Sequence, residues 1–179
     1  MHRRLVSALN EAQELHNIVF VSTNYDILID NALTDEHSSG GIDLDFGVEF
    51  RNFERPDSWR RPALNNRIRL LKPHRSLNWL FCRTCNELEI TPKEKGVIRL
   101  ISDFNHAACP RCDSVYTPLI VPPTFYKDMN NVFLSTIWNR TDVALQKVNH
   151  IIFCGYSFPG ADIHIKYSLN APRQTGKRR

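Results

Sequence analysis

Apolar and polar positions along this chain switch between a helical and a strand period, and the switches mark out its elements. Leu5, Leu9, Ala12 and Leu15 recur at helical spacing, so residues 3–16 predict an amphipathic helix with Asn17 as its stop. Ile18 to Val21 is a short β-branched and aromatic run, the pattern of a buried strand. It delivers Ser22-Thr23-Asn24-Tyr25-Asp26 to a strand end. Ile27, Leu28, Ala32 and Leu33 then predict a short helix capped by Asn24 or Asp26. Residues 34–67 carry only weak alternation at Ile42, Leu44 and Phe46, broken by Ser38-Ser39-Gly40-Gly41, Pro56 and Pro62; they predict a long connection with one hairpin. Ile68 to Lys72 predicts a second strand, and Val97 to Ile101 a separate one inside the cysteine-bearing segment that follows. Asn130 or Asn131 is placed to cap a helix running to Val148, with Phe133, Ile137, Trp138, Leu145 and Val148 on its buried face. His150 to Cys154 is a third apolar run of strand type, with Cys154 expected as a small core residue. Asp162 caps a last helix over Ile163, Ile165, Tyr167 and Leu169, which fails at Pro172.

Three apolar strands interleaved with helices predict an α/β fold with a parallel sheet, in which ligands gather at the carboxyl ends of the strands. Three polar segments fall there: Thr23-Asn24-Tyr25-Asp26, the turn holding His74, and Gly155-Tyr156-Ser157. Each also has a plain structural role, since Asn24 and Asp26 suit a helix cap, Gly155 suits a tight turn, and a lone histidine is more often a hydrogen-bonded structural residue.

The cysteines change the picture more. Cys82 and Cys85 form one C-x-x-C pair and Cys109 and Cys112 a second, with 23 residues between. Two such pairs at ribbon spacing suit a tetrahedral metal site better than a disulfide framework. Four thiolates leave no open position for water, so the expected ion is a structural Zn2+. The module spans about residues 79–117, bounded by turn signals.

The 179 residues allow one sizeable core with a small satellite, and 42% hydrophobic with 23% charged residues is ordinary for a globular protein. The net charge of +4 is concentrated in part in Arg173, Lys177, Arg178 and Arg179, expected as a disordered basic tail over 171–179. Without interleaved aromatics this argues against nucleic acid as a partner. No apolar run reaches the length of a membrane span and no secretory leader follows Met1, so a reducing cytoplasm is the expected compartment and a membrane is not an expected partner.

Taken together, the motifs resemble the sirtuin-like domain family, particularly the bacterial members found in NAD-consuming antiphage-defence proteins. Thr23-Asn24-Tyr25-Asp26 is similar to the family's threonine-asparagine-aromatic-aspartate loop. Lys72 to Trp79 is similar to its Leu-His-Gly-Ser-Leu-Asn-Trp segment, the two cysteine pairs to its zinc ribbon, and Leu119 to Pro123 and Gly155-Tyr156-Ser157-Phe158-Pro159 with Asp162 to its later segments. The resemblance runs from about Val19 to Leu169. It implies a partial Rossmann-like sheet over 1–78 and 118–170, with the zinc ribbon inserted at 79–117. It implies NAD+ as substrate and release of nicotinamide by hydrolysis. His74 would be the general base, with Asn24 and Asp26 as further catalytic residues. Thr23, Asn24, Asp26, Gly155 and Ser157 would hold the cofactor. NAD-dependent removal of acyl groups from protein lysine is the alternative activity, and an inactive zinc-containing interaction module the non-enzymatic one. A homo-oligomer or a fused or partner effector domain is the expected assembly.

The family pattern is broken in three places. Residues 1–20 contain no glycine, so nothing upstream of Asn24 matches its Gly-Ala-Gly phosphate loop. Arg75 stands where the family has glycine, and Pro73 where it has leucine. The family's last strand has no counterpart, so the resemblance implies a domain truncated at both ends.

Overall fold

A computed structural model describes residues 1–40, 43–52, 55–60, 67–91, 108–120, 131–160 and 162–170. They form a mixed α/β structure with two sheets and a cluster of four cysteines. The first sheet is parallel, in the order β1-β5-β2, from β1 (Val19–Val21), β5 (Arg67–Leu71) and β2 (Asp43–Asp45). The second is mixed, with β3 (Phe50–Asn52), β4 (Arg55–Arg60), β6 (Arg75–Cys82), β7 (Glu87–Ile90) and β8 (Thr117–Ile120) in the order β4-β3-β7-β6-β8. Val97 to Ile101 and the tail 171–179 lie outside the described residues.

The first helix, α1 (His2–Glu11), is shorter than its periodicity implies. Gln13 takes φ +57°, which turns the chain out of the helix, and Leu15 enters the core from a single 3-10 turn, Leu15–Asn17. In α2 (Leu28–Gly40) Asp26 caps the first turn, its Oδ1 accepting from Leu28 N–H at 3.0 Å. Asn131 caps α3 (Val132–Lys147) through the N–H groups of Phe133 and Leu134, burying Leu134, Ile137, Trp138, Thr141 and Ala144. The last helix, α4 (Ile163–Asn170), packs against α3 through Ile165. Among the described residues no helix is long and apolar enough to cross a membrane.

The third strand of the parallel sheet is β2, from the stretch expected as a connection. Its pattern is hard to read because two of its three residues are aspartates. Asp45 is nonetheless buried: its Oδ1 accepts from Gly47 N–H at 2.8 Å, and Arg67, Arg69 and Arg140 surround it at 3.4–3.8 Å. Conversely, the apolar run at 150–154 forms no strand. Ile152 is 85% exposed, and Cys154 is exposed rather than in the core. Strand-forming residues become a strand only when a neighbour pairs with them.

One core joins the two sheets. Leu33, Leu44, Ile68 and Leu70 pack with Phe46, Phe50 and Trp79, whose rings meet edge-on at 5.0–6.0 Å. The chain passes from one sheet to the other between β5 and β6, through His74.

Candidate active-site edge and metal centre

Lys72-Pro73-His74-Arg75 is a tight turn, closed by Arg75 N–H donating to Lys72 O at 2.8 Å. Pro73 pre-sets the backbone at the second position. Arg75 leaves the turn at φ +73°, a left-handed geometry that favours glycine. The turn therefore holds His74 at the carboxyl end of β5, the middle strand of the parallel sheet.

The β1–α2 loop lies beside this turn. Ser22 N–H donates to Leu71 O and Leu77 N–H to Tyr25 O, both at 2.9 Å. The Tyr25 ring sits 6.1 Å from the imidazole of His74 and the Trp138 ring 6.0 Å from it. His74 is 3% exposed, and its Nε2 lies 3.1 Å from Asp162 Oδ1. The other oxygen of Asp162 accepts from Tyr156 O–H at 2.8 Å. Burial, and then the negative charge of Asp162, raises the Tyr25 phenol above its ordinary range. Burial and the hydrogen bond to Asp162 raise that of Tyr156.

Thr23 and Asn24 thus lie between two residues, Ser22 and Tyr25, that are tied by backbone hydrogen bonds to β5 and β6, with Asn24 exposed and Asp26 engaged as a cap. Gly155 and Ser157 are exposed and flank Tyr156, which ties their segment to Asp162. Gly155 has φ +66°, and a Cβ there would meet nothing within 4 Å, so the backbone angle alone calls for glycine. The sequence gives Asp162 as a helix cap; its carboxylate instead faces His74 and Tyr156.

Beneath the turn lies a group that the sequence pattern does not reveal. Lys72 is fully buried, and its Nζ donates to Asp30 Oδ2 and Ser76 Oγ at 2.7 Å each, and to Asp26 O. It pins α2, the β1–α2 loop and β6 to one point. Burial raises the Asp30 carboxyl and lowers the Lys72 ammonium, while their mutual attraction opposes both shifts. The one available signal is a lysine closing an apolar strand.

The cysteine site lies at the far end of β6. Cys82 Sγ is 3.4 Å from Cys112 Sγ, Cys85 Sγ is 3.9 Å from Cys109 Sγ, and all four sulfurs lie within 4.8 Å of one another. A tetrahedral ion with sulfur bonds of about 2.3 Å spaces its ligands by about 3.8 Å, so these four cysteines can hold a metal such as zinc. The two knuckles are built alike. Asn86 and Asp113, each directly after the second cysteine of its pair, both take left-handed φ, +52° and +60°. Cys85 N–H donates to Cys82 Sγ, and Thr84 and Ser114 hydroxyls join the knuckles at 2.7 Å. Hydrogen bonds from Ser114 hold the Cys112 thiol down to about 6, whereas its hydrogen bond with Cys112, then burial, pushes Cys85 up to about 12. Arg111, inside the second knuckle, pairs with Glu87, which also pairs with buried Arg51 at 2.5 Å, so the knuckle is tied to β7 and β3. Tyr116 O–H donates to Glu89 alongside.

Comparison with protein-family models and with curated proteins finds no match to this chain.

Proposed function

We propose that this chain is a sirtuin-like domain that hydrolyses NAD+, releasing nicotinamide, and that its four cysteines hold a structural zinc ion. The observation that carries the reading is the placement of His74: a tight turn presents it at the carboxyl end of the central strand of a parallel sheet, beside a buried carboxylate and the Asn24 loop. The motif order Thr23-Asn24-Tyr25-Asp26, His74, two C-x-x-C pairs and Gly155-Tyr156-Ser157 supports it.

In this reading His74 takes a proton from a ribose hydroxyl or from water as the bond from ribose C1 to nicotinamide breaks, a step with oxocarbenium character. Asn24, exposed at the loop tip, orients the ribose or the attacking water. Asp26 fixes the loop by capping α2 and adds negative charge near the developing cation. Thr23, Gly155 and Ser157 line the approach to the cofactor. The zinc holds the two knuckles together at the end of β6 and takes no part in the bond-breaking step.

The test is nicotinamide release from NAD+ by the zinc-loaded chain, with and without an acyl-lysine peptide. Release without peptide, abolished in His74→Ala with zinc retained, is the expected result. Release that requires the peptide would make the activity deacylation. A folded, zinc-loaded chain that neither binds nor cleaves NAD+ would sink the enzymatic reading in favour of an interaction module.

A further inference from the structure

Asp162 is a buried carboxylate in direct contact with the imidazole of His74. It is 2% exposed and stands just before α4, between two partners. Its Oδ1 lies 3.1 Å from His74 Nε2, and its Oδ2 accepts from Tyr156 O–H at 2.8 Å. Tyr25 from the β1–α2 loop and Trp138 from α3 lie near the imidazole ring, Asp162 with Tyr156 reaches it from the approach to α4, and the same turn carries two buried cations, Lys72 and Arg75. The His164 ring lies 5.6 Å from Trp138, tilted against it.

We infer that Asp162 is a positioning residue for His74: its carboxylate accepts the Nε2 proton, and so fixes the tautomer and the direction of the ring. A neutral imidazole carries one N–H and one lone pair, and the hydrogen bond at one nitrogen decides which is which. A carboxylate fixed by a second donor, Tyr156, also sets the direction of the ring and stabilises the imidazolium once a proton arrives. The effect on turnover rests on the proposed hydrolase reading; the His74–Asp162 pairing does not.

The experiment is nitrogen-15 NMR of the zinc-loaded chain, with His74 assigned by a His74→Gln variant, followed across a pH titration. Wild type is expected to show the tautomer protonated at Nε2. Asp162→Asn should keep that tautomer but lower the titration midpoint of His74, because the charge is lost while an acceptor remains. Tyr156→Phe should raise the midpoint, because the Asp162 carboxylate loses a competing donor. Opposite movements are a signature that general loosening of the fold does not produce. A wild-type tautomer protonated at Nδ1, or a midpoint unmoved in Asp162→Asn, overturns the inference. In nicotinamide release, Asp162→Asn is expected to lower kcat by about 100-fold with little change in KM. A wild type with no turnover would sink the hydrolase reading and leave the NMR result to decide the pairing.

Discussion

Replacing Lys72 with methionine, which keeps the length of the side chain and removes its charge, strands Asp30. That carboxylate is 3% exposed and takes its 2.7 Å ion pair from Lys72 Nζ. Ser76 Oγ and the Asp26 carbonyl lose the same donor. Breaking a buried pair by removing one partner costs about 3–5 kcal/mol. For a chain of this size about 1 kcal/mol moves Tm by roughly 2–4 °C, so the expected fall is about 6–20 °C. The pH dependence has a definite sign. Burial already raises Asp30 above the ordinary carboxylate range, and losing Lys72 raises it further. The part of the penalty carried by Asp30 is therefore full above its folded pKa, shrinks as pH falls through it, and is gone below the unfolded value. Urea denaturation of the zinc-loaded protein between pH 4.5 and 8, with these limits set by the carboxylate range, reads the effect. Lys72→Met/Asp30→Asn should recover most of the loss. A penalty below about 1 kcal/mol, the size of an exposed pair, or a double variant no better than the single one, would refute the reasoning.

Other predictions address the turns and the metal. Arg75→Ala is expected to cost about 1 kcal/mol more than Arg75→Gly in thermal denaturation, because both delete the side chain and only glycine tolerates φ +73° without strain. Gly47→Ala should destabilise by about 1–3 kcal/mol, since its φ is +83° and a Cβ would sit 2.9 Å from Leu71 Cδ2. Mass spectrometry under native conditions should find one zinc per chain, lost in Cys109→Ser, and chelation should lower the Tm; a metal-free wild type with unchanged Tm would exclude a structural ion.

The parts of the fold that could be read from the sequence are those whose cause is local. Asn131 before an apolar helical period marks α3, Asp26 marks α2, and two C-x-x-C pairs mark, through their spacing alone, the cysteine cluster that can hold a metal. What could not be read depends on partners far away in the chain. Asp43-Leu44-Asp45 lacks the composition of a buried strand, and becomes one because three arginines from β5 and α3 gather around Asp45. His150 to Cys154 has that composition and forms none. Lys72 looks like a solvated strand end until Asp30, from α2, is placed against it. His74, Asn24 and Asp26 could be picked out as strand-end residues, but Asp162 looked like a cap. Only the arrival of α4 beside α3 brings its carboxylate to the imidazole.

Cleavage of NAD+ at the His74 edge is the proposed activity. Its most direct measurement is the rate of nicotinamide formation by zinc-loaded wild type beside His74→Ala, in the absence of any acylated peptide. Steady release by wild type and none above background by the variant, with equal zinc content and matching Tm, is the expected result. Equal release by the two proteins, or none from a wild type shown to be folded and metal-loaded, would contradict it.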